Sequence, residues 1–591
     1  MRLDPNSAVI LDCEVYPNYF LVAFKGIGSG NTKSFEFTDT MPKADRKAVL
    51  DIMKNRTTVS FNGLNYDIPV IVAALMGRSS EAIHEISQYI ISNNGRGWQT
   101  SNHFQLRQPE WPHIDIAEVA PGVRVGLKLY GARMHSQKLQ DLPYDPMVRL
   151  TPEQQTDVKR YCVNDLDTTI DLWHRVKQDI DLRMEMNPAY ASKSDAQIAE
   201  AVIRSELGIR KLQPHEPKLP IRYRPPEFIK FKTDPLNEVL AMLEAERFIL
   251  SKTGSVQLPP SVAKTVIRLG DTDYQLGIGG LHSKDKKLVV IPKVHQQLLD
   301  NDVTAYYPSL ILNLGLYPKQ LGPRFLNVYQ SLVNQRLEAK RSGNKYKDAS
   351  LKIVINGAYG KLGSRWSVMY APDLMLAVTL TGQLAILMLI ERLELAGVSV
   401  VSANTDGFVS LIEDRELYDD ICQQWQIDTG LTLEATPYDR LYARDVNNYL
   451  AVKPGGYKGK GIFNRDELRK NPVSWVSVEA VIAYLTDGTS IEDNVRHCRD
   501  LTKFLNVRRV TGGAVWQDQY LGKVVRWIYS TNGEHITYKN GNKVASSDGA
   551  RPMMELEQHM PEDLDFDKYV ETAYQILTTI GIENGYLEES L

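Results

Sequence analysis

"LLDNDVTAYYPSLI", residues 298–311, decides how the chain is read. An apolar run carries an acid, Asp302, and five residues on a Tyr307-Pro308-Ser309 triplet ends it. A carboxylate entering what reads as a core needs a partner, often a cation, because a buried unpaired charge is costly. The rest of the chain has to supply that partner.

The most direct candidate lies about a hundred residues downstream. "VSVVSANTDGFVSLI" (398–412) reads as a hairpin with its turn at Asp406-Gly407. A strand-borne acid and a hairpin-tip acid, brought together, suit two divalent ions and phosphoryl transfer. On these two segments alone the plainer reading is favoured: Asp406 as a turn residue, Asp302 as a helix cap. The sequence between them shifts the balance. In "SLKIVINGAYGKLG" (350–363), Lys352, Asn356 and Tyr359 fall at i, i+4 and i+7 on one helix face. In "YQSLVNQRLEAKR" (329–341), Arg336 and Lys340 share a face. Three cations beside an aromatic ring would grip a triphosphate and stack a base. A merely solvated helix face is the competing reading.

These segments resemble the family B DNA polymerases. "DVTAYYPS" looks like their motif A, "KIVINGAYG" like motif B (Lys-x-x-x-Asn-x-x-Tyr-Gly) and "ANTDGF" like motif C. Arg336 and Lys340 match the Arg-x-x-x-Lys of the fingers helix. The resemblance implies that Asp302, Val303 and Asp406 bind metal in the palm. It makes Tyr307 the residue under the sugar that excludes a 2′-hydroxyl, and Arg336, Lys340, Lys352, Asn356 and Tyr359 the nucleotide-binding set.

The N-terminal third carries acids of its own. Asp12 and Glu14 are i, i+2 on an expected strand, "AVILDCEVY" (8–16), so both point to one side. "FNGLNYD" (61–67) holds Asn62 and Asp67. Tyr161 and Asp165 are i, i+4 on an expected helix at 150–176, with Thr151 as N-cap, Pro152 at its first position and Gln154 completing a capping box. Four carboxylates are what two divalent ions need to hydrolyse a phosphodiester with water. The segments resemble the Asp-x-Glu, Asn-x-x-x-x-Asp and Tyr-x-x-x-Asp motifs of the proofreading domain in the same polymerases. That resemblance implies an RNase H-like fold and gives Asp12, Glu14, Asp67, Tyr161 and Asp165 catalytic roles, with Asn62 on DNA. Each motif alone is weak; six in this order make a strong signal. Lys138 and Tyr144 lie where the family has a lysine and a tyrosine assisting hydrolysis, though a surface lysine reads as well.

The chain departs from the family in three places. Motif C has Asn404 for its first acid and Gly407 for the usual Ser. The Lys-x-Tyr element that grips the primer looks like "NNY" (447–449), which keeps Tyr449 and loses the Lys. Lys458 and Lys460 in "KPGGYKGKG" (453–461) can supply phosphate-binding cations instead. "YQLGIGGLHS" (274–283) sits where the family has a Tyr/Gly-Gly element, placing Gly279 and Gly280 near DNA.

Composition sets the outer bounds. The chain has 591 residues, long enough for several domains, and a net charge of −3 that gives no bulk support to nucleic-acid binding. Four scattered cysteines argue against a disulfide framework or a zinc site. The start shows no signal-peptide pattern, and "LMLAVTLTGQLAILMLI" (374–390), broken by Thr, Gly and Gln, reads as a buried helix.

The expected architecture is α/β and α+β multidomain: an RNase H-like exonuclease domain (1–190), a connector (191–280) with helical pieces at 195–207 and 236–250 around a proline-rich stretch (214–228), then a right-hand polymerase. Its palm is 281–325 and 362–461, its fingers 326–361 and its thumb 462–591. Strand-like segments are expected to about 312 and helical periodicity from about 325 to 362. "ITYKNGNKVA" (536–545) signals a further hairpin, and "VRRVTGGAVW" and "KVVRWIY" offer basic and aromatic groups for a duplex backbone. Asp302 and Lys352 stand 50 positions apart, and Gly360 and Asp406 stand 46 apart. Neither interval has room for the insertions of the protein-primed phage polymerases, which the chain otherwise resembles in compactness.

The resemblance therefore implies a phage-type, template-directed DNA polymerase with 3′–5′ proofreading that extends a nucleic-acid primer during phage genome replication. It would use two Mg2+ per active site, with Mn2+ as a substitute. Its partners would be primer-template DNA and deoxynucleoside triphosphates, with a helicase, clamp or single-strand binding protein for long-range displacement. It would work as a monomer in the host cytoplasm, without a membrane. The alternative is an exonuclease, or a nucleic-acid binding factor, whose polymerase half has decayed.

Overall fold

A computed structural model describes residues 4, 7–107, 109–122, 125–210 and 215–583. Pro214, which opens the proline-rich stretch, and the last residues of 462–591, from 584 on, lie outside them. The chain is mixed α/β and divides into two compact units. One comprises Met1–Ser194, Arg465–Ser477 and Asn494–Val570; the other Asp195–Asn464, Val478–Asp493 and Glu571–Leu591.

The first unit is built on a five-stranded sheet in the order Thr32–Phe37, Tyr19–Gly26, Val9–Tyr16, Thr58–Ser60, His113–Asp115. The first three strands form an antiparallel meander and the last two run parallel to Val9–Tyr16. In Val9–Tyr16, Leu11, Cys13 and Val15 are buried on one face, while Asp12 and Glu14 point the other way. The long helix Pro152–Met186 crosses this second face and starts as its sequence requires. Thr151 Oγ1 accepts from Gln154 N, the Gln154 side chain returns to Thr151 N, and Pro152 takes the first position. Val158, Cys162, Leu166, Leu172 and Trp173 bury its inner stripe. A separate four-stranded sheet in this unit is dominated by the hairpin Asn506–Trp516 and Gln519–Glu534. The turn expected at Asn540-Gly541 joins Thr537–Tyr538 to a bridge at Lys543.

The second unit is organised by the helix Pro372–Leu395. By length and composition alone it could cross a membrane, but most of it is buried in the unit. Its polar breaks have partners. Gln383 pairs with both N and O of Gly277, Thr381 Oγ1 meets Tyr223 Oη at 2.9 Å, and Thr379 Oγ1 meets Tyr359 Oη at 2.8 Å. Glu391, fully buried, accepts from Lys232 N, Thr233 N and the Thr233 hydroxyl, and so closes the start of Asp234–Ala245. A seven-stranded antiparallel sheet faces the helix, with Gln297–Val303 between Leu433–Tyr438 and Gly407–Ile412. A helical hairpin, Arg324–Arg341 and Lys345–Lys361, packs with Asp195–Leu207.

Three boundaries differ from expectation. The helix expected over 150–176 runs on to Met186. The strand run ends at Val303 rather than near 312. Ala305 takes a left-handed φ of 46°, and Tyr306–Asn313 is a helix whose first turn accommodates Pro308. The helix expected over 236–250 stops at Ala245, because Phe248 turns extended to bridge Ile221.

Candidate active sites

The second unit brings the motif residues together through strand register. Asp302 pairs with Gly407, the residue after Asp406, and Val303 N donates to Asp406 O at 2.8 Å. The register leaves no space for a side chain at 407. A Cβ there would lie 2.6 Å from Asn301 O and would also strike Asp302 Oδ1. The glycine that departs from the usual Ser is therefore fitted to this hairpin. Asn404 has a comparable reason. Its Nδ2 donates to Val446 O at 3.0 Å, which a carboxylate cannot do, and its Oδ1 accepts from Thr405 Oγ1 at 3.1 Å.

The acid that enters the core is Asp300, not Asp302. Alternation puts both on one face, but Asp300 is 7% exposed while the Asp302 side chain is 55% exposed at the strand end. Asp300 Oδ2 accepts from Lys458 Nζ at 2.8 Å and from the Tyr438 hydroxyl; Lys458 Nζ is also 3.9 Å from Asp302. Burial, then Asp300, pushes the Asp302 carboxyl up to about 6, with Asp406 and Glu434 adding to the effect. Burial also raises Asp406, against the pull of Lys460 and Lys458. Lys458 is held protonated by Asp300 in spite of its desolvation. Crowded oxygen donors of this kind fit hard divalent cations such as Mg2+ or Mn2+.

Tyr307 stacks on Tyr359 with ring centroids 4.3 Å apart and planes 14° apart, and its hydroxyl donates to Gly279 O at 2.8 Å. Motifs A and B and the Gly279-Gly280 loop thus meet at one ring. Gly280 lies against Thr405 at the hairpin tip. Tyr449 and Lys460 are register partners on neighbouring strands. Lys352 and Asn356 are exposed. Arg336 and Lys340 each have a carboxylate partner that sequence reading did not foresee: Arg336 Nε donates to Asp348 at 3.0 Å and Lys340 Nζ to Glu434 at 3.2 Å.

In the first unit, Asp12, Glu14 and Cys162 bring one donor atom each within 4.8 Å of one another. Asp67 opens the helix Asp67–Leu75 and is 4% exposed, with no hydrogen-bond partner on its Oδ1. Burial, then the neighbouring acids, pushes Asp12 well up; Glu14 is raised by burial and Asp165, Asp165 by burial, and Asp67 to about 7 by burial and Asp115. An orphaned carboxylate oxygen among crowded acids is what a divalent cation would satisfy. Burial also raises the Cys162 thiol, which stays protonated and contacts Asp12 Oδ2 at 3.6 Å. Tyr161 hydrogen-bonds Asp165. Asn62, at φ 65°, is exposed in a loop whose amides at Asn62 and Leu64 bind Asp115. Tyr144 donates to Asp157 at 2.7 Å, and Lys138 lies in a backbone bridge with Glu555.

No protein-family model matches the chain, and no curated protein matches it. Among solved structures it is similar to the family B DNA polymerase from the hyperthermophilic archaeon Pyrobaculum calidifontis, at 13% identity and a TM-score of 0.41, over 99% of this chain and 79% of that one. So slight a likeness carries no chemistry, which rests on the side chains.

Besides Asp348 and Glu434, sequence reading missed two charged residues at these sites. Asp300 had a signal: it stands two positions before Asp302 and so shares its face. Lys128 had almost none beyond being a single cation in the apolar stretch 127–132. In the structure its Nζ lies 4.5 Å from the Tyr161 ring centroid and 3.3 Å from Asp141 Oδ1, and its charge acts on Glu14 and Asp165.

Proposed function

We propose that the chain is a DNA-directed DNA polymerase of the family B kind with a 3′–5′ exonuclease, extending a nucleic-acid primer. The observation that carries this reading is the strand register that sets Asp302 beside the Asp406 hairpin, with Tyr307 stacked on Tyr359. Asp302, Val303 and Asp406 would hold two Mg2+ ions. Bound there, the ions supply activation of the primer 3′-oxygen and neutralisation of the leaving pyrophosphate. Tyr307 presents its ring to the sugar and leaves no volume for a 2′-hydroxyl. Lys352 meets the triphosphate from an exposed helix face. Arg336 and Lys340 join it by exchanging Asp348 and Glu434 for phosphate oxygens, an exchange of one charged partner for another. Asn356 lies one turn beyond Lys352 on that face. Gly279, Gly280, Tyr449 and Lys460 lie along the DNA, while Lys458 is held first by Asp300.

The five-stranded sheet, a three-strand meander followed by two parallel strands, supports an RNase H-like reading of the N-terminal region. Asp12, Glu14, Asp67 and Asp165 would hold the ions for hydrolysis, Tyr161 orients Asp165, and Asn62 is exposed toward the strand. The second reading, a nuclease or binding factor with a decayed polymerase half, is favoured by one observation: Asn404 brings no charge to motif C. Purified protein given a primed template, Mg2+ and four deoxynucleotides separates these readings. Extension, followed by 3′ shortening when nucleotides are omitted, supports the polymerase. Shortening alone supports the nuclease. Binding with neither supports the factor.

A further inference from the structure

The hairpin Asn506–Trp516 and Gln519–Glu534 takes no part in the chemistry proposed above, yet its tip reaches Asp141, the carboxylate partner of Lys128. Tyr520, beside the Gln517-Asp518 turn, donates its hydroxyl to Asp141 Oδ2 at 3.0 Å. The other oxygen of Asp141 lies 3.3 Å from Lys128 Nζ. Lys128 in turn sits 4.5 Å from the Tyr161 ring centroid and acts electrostatically on Glu14 and Asp165.

The hairpin is shaped for this approach. Gly513 and Gly522 hold φ of 101° and 106°, which favour glycine, and a Cβ would lie 2.7 Å from the Tyr520 hydroxyl oxygen at the first and 3.0 Å from Asp141 Cβ at the second. It is also fixed to the segment that carries Lys128. Leu129, Ala132 and Leu139 share a buried cluster with Val507, and Val524 and Met554 pack on it. Arg526, fully buried, donates to Ser136 O and Met553 O at 2.8 Å each.

We propose that this hairpin positions Lys128 for hydrolysis: Tyr520, by holding Asp141, sets where the ammonium stands against the Tyr161 ring, whose hydroxyl bonds Asp165. Asp141 and the Glu14–Asp165 pair draw on this one cation. The Tyr520 hydrogen bond satisfies one Asp141 oxygen, weakens the pull of that carboxylate on Lys128 and keeps it from turning. Lys128 then faces the scissile phosphate as the charged group of the site, and Tyr520 is a positioning residue. The inference rests on the exonuclease reading above.

The test is steady-state hydrolysis of a 5′-labelled single-stranded oligonucleotide by the full chain. Lys128→Ala should lower kcat about 100-fold, as loss of a positioned charge does. Tyr520→Phe should lower kcat about tenfold, as loss of one hydrogen bond to a charged group does, with KM nearly unchanged and primer extension intact. The double variant should be no slower than Lys128→Ala, because Tyr520 acts only through that ammonium. Unchanged hydrolysis by Tyr520→Phe, or losses in the double variant that multiply, overturns the inference while the exonuclease reading stands. Persistent hydrolysis by Asp12→Ala with Glu14→Ala sinks that reading, and the inference with it.

Discussion

Gly407→Ser would restore the residue usual in motif C, and it should slow synthesis by about 100-fold. The reason is distance. A Cβ at 407 falls 2.6 Å from the Asn301 carbonyl oxygen, where ordinary contact begins at 3.4 Å. The two central strands must therefore separate locally by about 0.8 Å, and the Asp302 carboxylate, struck by the same Cβ, must turn away as well. Asn301 O belongs to the backbone, so no rotamer change relieves the first clash. Misplacing a reacting group by ~1 Å costs on the order of 100-fold in rate, and forcing a methylene into a packed position costs about 1–3 kcal/mol. The assay is single-turnover incorporation on a primed template, with 3′ shortening and thermal unfolding measured on the same preparations. Gly407→Ala carries the same Cβ without the hydroxyl and should behave alike. Both variants should lose about 100-fold in incorporation, keep hydrolysis and melt a few degrees lower. Incorporation by Gly407→Ala within a few-fold of the parent would refute the reasoning, because it would mean that the Asp302–Gly407 register is not the active one.

Three further perturbations test other parts of the account. Asn404→Asp should also fail to improve synthesis and should cost about 1–3 kcal/mol in denaturant unfolding, since it sets a carboxylate against the Val446 carbonyl; a more stable, faster variant would contradict this. Tyr307→Val removes the ring stacked on Tyr359 and should raise ribonucleotide incorporation far more than it lowers deoxynucleotide incorporation, read by single-turnover competition; unchanged discrimination counts against the steric role. The pH dependence has a definite sign. Asp67 titrates near 7 when folded against an ordinary 3.8, so the folded state favours the protonated form. Its contribution to stability is present at low pH and is lost as pH rises through about 7. In chelator, Tm should fall between pH 5.5 and 8 by more in the parent than in Asp67→Asn, and an equal fall in both would show that Asp67 carries no such effect.

Much of the local structure at both candidate sites was legible because its signals are local. Alternation placed Asp12 and Glu14 on one face, the capping box fixed the start of the Tyr161–Asp165 helix, and the turn residues marked the Asp406 hairpin. What was not legible depends on distant pairings. Nothing near Arg336 or Lys340 announces that each rests on a carboxylate, because Glu434 is reached only through sheet register and Asp348 through the turn between two helices. The apolar strand points to Asp302 as the acid entering the core; the structure buries Asp300 and gives it Lys458 from a strand more than 150 positions away. The early end of that strand follows from the left-handed backbone at Ala305, which an alanine does not advertise. Lys128 stands out only once Glu14, Asp165 and Tyr161 are assembled around it.

One chain is proposed to hold two sites, one for synthesis and one for hydrolysis. The most direct measurement is a single gel assay in Mg2+ on a labelled primed template, with and without nucleotides, comparing Asp302→Ala and Asp406→Ala with the Asp12→Ala, Glu14→Ala double variant. The losses should be opposite: the first two variants shorten the primer without extending it, and the third extends it without shortening it. Extension by Asp406→Ala at a near-parental rate, or loss of both activities in every variant, would contradict this.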